Sequence, residues 1–311
     1  MIDFVVFDGC KSFSELYQRV LENCRKLFAA RIDITKRGGQ MLHKVDRFSI
    51  FSSTLIDCME KGRDYSMNGA KYRDEYFLLF GFPNIVDSLL AIKKLVFDEK
   101  KYTFEHFLTV VRNNWEGYED IRKEAIACPG WGDGSEESIE LASRFNNDLY
   151  EIAHSFEGGH GGSVHIGHLT YTEIRWWGDA TKATPDGRRD GEYFAQGLTP
   201  SRLKKLPSVT SVVNSMAALD ASTMAGNSVV NIILPTGKTT IDNCEWFLRA
   251  VARSAIQSLQ LNCTSKEQLL DAQLHPEDYP DLIVRVTGFS AKFTSLSKEW
   301  QEEVITRNFY E

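Results

Sequence analysis

Several things are absent from this chain of 311 residues, and each absence removes a class of function. Apolar runs such as 229–234, VVNIIL, are far short of the roughly 20 residues a bilayer-crossing helix needs. Positive charge is not in excess: 36 lysines and arginines face 43 aspartates and glutamates, for a net charge of −7. No Lys/Arg stripe survives its acidic neighbours, which excludes a nucleic-acid-binding module. The six cysteines (Cys10, Cys24, Cys58, Cys128, Cys244, Cys263) contain no C-x-x-C pair and read as reduced, mostly buried thiols. The opening MIDFVVFDGCKSF lacks a basic stretch followed by an apolar one, so no secretory signal is visible and a cytoplasmic location is expected. Internal repeats and low-complexity segments are absent too. What remains is the profile of a soluble globular protein, 42% hydrophobic and 25% charged, with one large domain or two ordinary ones.

The first half of the chain reads as helical. SFSELYQRVLENCRKLFAARI (12–32) opens with a serine cap and Glu15 three residues on, and its apolar residues recur at i, i+3, i+4. Segments 48–61, 83–97, 103–114 and 136–154 predict further amphipathic helices, the second of these with Pro83 near its start. From about residue 155 the texture changes. FEGGHGGSVHIGH is glycine-rich and reads as loop. Short β-branched runs follow at 208–215, 228–234 and 282–289, with 259–262 a weaker strand, and helices are expected at 240–258 and 266–274. Strands alternating with helices predict an α/β fold, most simply a barrel or part of one.

Four of seven histidines crowd together: His154, His160, His165 and His168. Three readings are open: loop or structural histidines, a metal site, and substrate contacts from a glycine-rich loop. No H-E-x-x-H or carboxylate-triad spacing supports the metal. GGHGG (158–162) lacks the Lys-Ser/Thr ending and the strand-turn-helix setting of a phosphate loop. TPDGRRDGE (184–192) is a turn signal that composition alone reads as solvated. Gly288, by local logic alone, is a tight-turn or bulge glycine.

The segment RVTGFSAKFTSLSKEWQEEVITR (285–307) changes that weighting, because it resembles the glycyl-radical segment of the pyruvate formate-lyase-like glycyl radical enzymes. Supporting blocks occur in that family's order at 55–72, 84–107, 183–192, 208–220 and 259–289. The resemblance implies that Gly288 stores a protein-based radical, held in a buried loop and installed by an iron–sulfur, S-adenosylmethionine-dependent activase, with no bound metal. The chemistry explains the residue type. A Cα radical is stabilised when the amide nitrogen donates and the carbonyl withdraws across a planar centre; a Cβ would crowd that plane, and glycine alone tolerates the backbone excursion an activase requires.

The family fold implied is a ten-stranded α/β barrel of two half-barrels, in which the radical passes to a cysteine whose thiyl abstracts hydrogen from substrate. The expected architecture here is the C-terminal half of that barrel with a helical N-terminal region. Residues 1–180 form the mostly helical part and 181–311 the glycine-radical domain. The family's cysteine sits in a G-C-V-E-like finger loop or a Cys-Cys pair, and neither occurs; Cys10 and Cys58 read as packing thiols. The expected function is therefore the radical-bearing chain of a glycyl radical enzyme, cleaving C–C, C–O or C–N bonds of a small molecule. Its expected partners are the activase and a chain supplying the other half-barrel and the thiyl cysteine. The turn at 184–192 and the run at 208–215 resemble the dehydratase and decarboxylase branches more than formate C-acetyltransferase. The alternatives are a spare part for an oxygen-damaged enzyme and an inactive truncated or scaffold homologue.

Overall fold

The computed structural model describes residues 9–169, 174–235, 237, 239–254 and 256–310, so the first eight residues of the opening MIDFVVFDGCKSF lie outside the described residues. Helix α1 (Phe13–Val45) starts where Ser12 accepts the Glu15 amide, and it runs past the expected end at residue 32. Its apolar stripe, with Leu16, Tyr17, Val20, Phe28 and Ile32 all buried, packs against α7 (Glu136–His154), where the Tyr17 hydroxyl donates to Asp148 at 2.6 Å. The segment 48–61 is two short helices, α2 (Ser49–Ser53) and α3 (Ile56–Lys61). The α4 helix (Phe82–Ile92) continues as a π-turn over Lys93–Asp98, and α5 (Phe104–Arg112), α6 (Glu119–Ala127) and α8 (Ile174–Ala180) complete the helical half.

The first four strands form short parallel pairs. Strand β1 (Glu75–Leu78) lies beside β2 (Val164–Gly167), with Glu75 opposite Val164. Strand β3 (Val229–Ile233) lies beside β4 (Ser258–Asn262), with Asn231 opposite Gln260. A parallel bridge between His168 and Ser228 joins the two pairs, so the four strands follow one another in the order β1, β2, β3, β4. All five residues of β3 are buried, as expected of a parallel strand covered on both faces. The fold is thus α/β. Strand β2 corrects the reading of 155–168 as loop: Val164 and Ile166 pack into the core and outweigh the glycines before them.

One expected strand is a helix. Residues Val209–Ala217 form α9, because the Ser208 hydroxyl accepts the Ser211 amide at 3.0 Å and Val212, Val213 and Met216 fall on one buried face. A cap and tertiary packing together override the β preference of four valines and threonines. Helices α10 (Ile241–Ala252) and α11 (Lys266–Leu274) then flank β4, and α10 ends short of the expected residue 258.

The main core runs from Cys10 to Tyr310 and includes residues of both halves of the chain. A second, smaller cluster sits at the C-terminal end: Leu269, Ala272, Val284, Val286, Phe293, Val304 and Ile305. It joins α11, the antiparallel hairpin of β5 (Ile283–Arg285) and β6 (Ser290–Lys292), and the last helix α12 (Lys298–Ile305). The hairpin that carries Gly288 therefore rests on a core of its own.

Candidate functional site

Arg285 pairs with Ser290 at the end of the β5–β6 hairpin, leaving residues 286–289 as its tip. The Val286 amide donates to the Phe289 carbonyl at 2.8 Å and closes the turn. Gly288 adopts φ +76°, a left-handed conformation that costs an L-residue about 1–2 kcal/mol and glycine nothing. Both Gly288 and Phe289 are exposed, and a Cβ placed on Gly288 would meet no atom within 4 Å. The buried radical loop implied by the sequence resemblance is therefore, in this chain, an uncovered hairpin tip. Beside it Thr287 is only 4% exposed, and its hydroxyl has no hydrogen-bond partner.

The tip is held from beneath by side-chain amides of β4. Residues two apart on a strand share a face, and Gln260 and Asn262 are both buried. The Gln260 carbonyl Oε1 accepts the Gly288 amide hydrogen at 3.1 Å. Asn262 clasps the peptide of Arg285 from both sides, accepting its N–H at 2.6 Å and donating to its carbonyl at 3.1 Å.

A second anchor comes from the C-terminal end. The Arg307 guanidinium donates to the Arg285 carbonyl at 2.9 Å and to the Val286 carbonyl at 2.8 Å. It is fixed in turn by Glu303 on α12, whose Oε2 accepts from Arg307 Nη2 at 2.6 Å and Nε at 3.0 Å. The other oxygen of Glu303 accepts from Arg202 at 3.0 Å and from Gln196 at 2.9 Å, and Gln196 accepts from Asn231 on β3 at 3.0 Å. Burial alone would push the Glu303 carboxyl up, but the charges and hydrogen bonds of Arg307 and Arg202 outweigh it and hold the group below the usual glutamate range. These groups are amides, guanidiniums and one ionised carboxylate. They are equipped to hold a backbone in place.

The other residues singled out by sequence fall elsewhere. All six cysteines are free thiols. Cys10 and Cys58 are buried, and burial pushes the Cys24 thiol up to about 11. Cys263 follows β4 directly, so side-chain alternation turns it away from the face carrying Gln260 and Asn262. His168 is fully buried against Phe82 and hydrogen-bonded to Asn146 at 2.9 Å; burial pushes its pKa down to about 3, so it is neutral and structural. His165 stacks on Tyr76, and His154 on Tyr150. Among the described residues no three metal-ligating side chains stand together, nor is any helix long and apolar enough to cross a membrane.

The turn at 184–192 is not solvated. Asp186 and Arg188 are fully buried, Asp186 accepting from Asn84 at 2.7 Å and Arg188 donating to the carbonyls of Thr181, Lys182 and Glu192. It is wedged between α4 and α6, where Arg122 holds the Gly187 carbonyl at 2.8 Å. Gln260, Asn262, Glu303 and Arg307 were not recognisable as site residues from sequence. Their only signals are an i, i+2 pair of amides in a strand and an i, i+4 Glu–Arg pair that straddles the end of the last helix.

Residues 2–178 match the family model described as pyruvate formate lyase-like. Residues 194–294, which include Gly288, match the glycine radical model. Trans-4-hydroxy-L-proline dehydratase of Clostridioides difficile is 31% identical over 299 residues, covering 94% of this chain and 38% of that protein. The crystal structure of that dehydratase with trans-4-hydroxy-L-proline bound superposes with a TM-score of 0.89, at 29% identity, over 97% of this chain and 39% of the other. The glycerol-bound B12-independent glycerol dehydratase of Clostridium butyricum gives a TM-score of 0.87 at 29% identity, covering 98% of this chain and 39% of that one. The chain thus spans about two fifths of the length of these relatives. It belongs to the pyruvate formate-lyase-like glycyl radical enzyme family.

Proposed function

We propose that this chain is the radical-bearing part of a glycyl radical enzyme of the dehydratase kind, with the radical stored on Cα of Gly288. The observation that carries this is the hairpin tip itself. Within the segment matched by the glycine radical model, Gly288 is exposed and left-handed, with nothing crowding its Cα. A radical S-adenosylmethionine activase takes one hydrogen atom from that Cα. The glycyl radical then takes the hydrogen atom of a cysteine S–H, and the thiyl so formed takes one from a C–H bond of a small hydroxylated substrate. The substrate radical eliminates water, the product radical takes the hydrogen atom back from the cysteine S–H, and the thiyl so regenerated recovers a hydrogen atom from Gly288. The named activities of the relatives favour this class of reaction. Residues 181–311 act in it as the glycine-radical domain.

The thiyl cysteine comes from another chain, which also supplies the rest of the barrel. Three features support this. Strand β1 pairs only with β2 among the described residues, leaving its outer edge unpaired. An open apolar cavity of about 710 Å³ lies beside that strand, lined by Leu27, Phe28, Tyr76, Leu78 and Trp177, of which Leu27, Tyr76 and Trp177 are exposed. The buried Thr287 hydroxyl, next to Gly288, lacks a partner. Mixing the chain with one that carries a G-C-x-E finger loop is expected to give a single larger species on size exclusion. After activation, only the mixture should turn over diol or hydroxyproline. A compact monomer with full activity alone would overturn the split arrangement.

A further inference from the structure

We propose that Gln260 is the positioning residue of the radical site, resting on the reading of Gly288 as the radical carrier. Its side-chain carbonyl pins the Gly288 amide, while Asn262 and Arg307 pin the peptides just before it. The direction of the bond is fixed by chemistry: a backbone N–H can only donate, so the oxygen of the Gln260 amide must face it. Gln260 is itself buried, and its neighbour across the sheet, Asn231, is held by Gln196. The acceptor is therefore presented from a rigid strand rather than from a loop.

Two consequences follow for a Cα radical. The unpaired electron is delocalised only when the flanking peptides lie in the plane of Cα, and the anchored N–H holds the upstream peptide in one orientation. An acceptor on that N–H also raises electron density on the nitrogen, which is the donating side of the radical. The carbonyls of Arg285 and Val286, bonded to Arg307 and Asn262, keep the preceding chain from swinging the tip away. Gln260 touches the amide of Gly288 and not the Cα hydrogen that leaves, so its role is orientation.

The test compares the full chain with Gln260→Leu, which has no acceptor, and Gln260→Glu, which keeps one. In the unactivated protein, amide hydrogen exchange across 286–290 is expected to rise at least tenfold in the Leu variant and to stay near wild type in the Glu variant. After anaerobic activation, the Leu variant should show an altered hyperfine splitting of the radical signal and a shorter radical lifetime, and the Glu variant should recover both. Unchanged exchange in the Leu variant overturns the proposal, and so does equal acceleration in both variants. A complete lack of radical in all three proteins overturns instead the reading of Gly288 on which the proposal rests, with the exchange rates still deciding whether Gln260 holds the tip.

Discussion

Gly288→Ala is expected to abolish radical formation completely while leaving a folded chain. The two halves of that expectation have different causes. Alanine at φ +76° carries a left-handed strain of about 1 kcal/mol, which lowers the melting temperature of a chain of this size by about 2 °C. Nothing is displaced, because the added methyl projects into open space. The chemical effect is total. Abstraction from alanine would give a tertiary Cα radical whose methyl group clashes with planar flanking peptides, so the delocalisation that makes the glycyl radical persistent is lost. Electron paramagnetic resonance after anaerobic activation should show no signal, with circular dichroism close to wild type. A glycyl radical signal of normal intensity in this variant would remove Gly288 from the mechanism.

Glu303→Ala should be the most destabilising single substitution in the C-terminal unit, at about 3–5 kcal/mol. The carboxylate is 1% exposed and serves two guanidiniums, Arg307 at 5% and Arg202 at 19% exposure, together with the Gln196 amide. Removing it strands these donors without an acceptor, and Arg307 loses the group that aims it at the hairpin carbonyls. The small cluster beneath the hairpin offers little to compensate. Thermal or denaturant unfolding should therefore show the C-terminal unit melting early, and hydrogen exchange should report loss of protection across 283–292. The same group sets an acid limit. Its folded pKa lies below the ordinary glutamate value, so the unfolded state binds the proton more tightly and the carboxylate's stabilisation is fully present above that value. That stabilisation is lost as pH falls from about 4.3 through the folded pKa. A Glu303→Gln chain should start less stable at neutral pH and lose less on acidification. Parallel stability–pH curves for the two proteins would contradict this account.

Residues whose job is to bury an apolar stripe announced themselves in the sequence. Helices α7 and α11 begin and end where their serine caps and periodicity place them. The stretch at 208–215 misled because a run of valine, threonine and serine has the composition of a strand, and only the Ser208 cap and the buried face of Val212 and Met216 decide for a helix. The turn at 184–192 misled in the opposite direction. A Pro-Asp-Gly signal specifies the shape of the chain but not what surrounds it, and here Asp186 is bonded to Asn84 of α4 and the Gly187 carbonyl to Arg122 of α6. The least legible residues are those around Gly288. Gln260, Asn262 and Arg307 serve backbone amides and carbonyls contributed from more than twenty residues away, and such partners leave no periodic trace. The glycine itself was legible only through its resemblance to a known radical segment, because a turn glycine and a radical glycine have the same local signature.

The central claim is that the radical resides on Gly288. The direct measurement is intact mass after the chain has been activated anaerobically with a matching activase, S-adenosylmethionine and reductant, alone and with a finger-loop chain, and then exposed to air. Oxygen cuts the backbone at a glycyl radical, so the account predicts loss of full-length chain and appearance of a C-terminal fragment covering 289–311, in proportion to the radical measured beforehand. Cleavage at a different position, or a radical signal that decays in air with the chain intact, would contradict it.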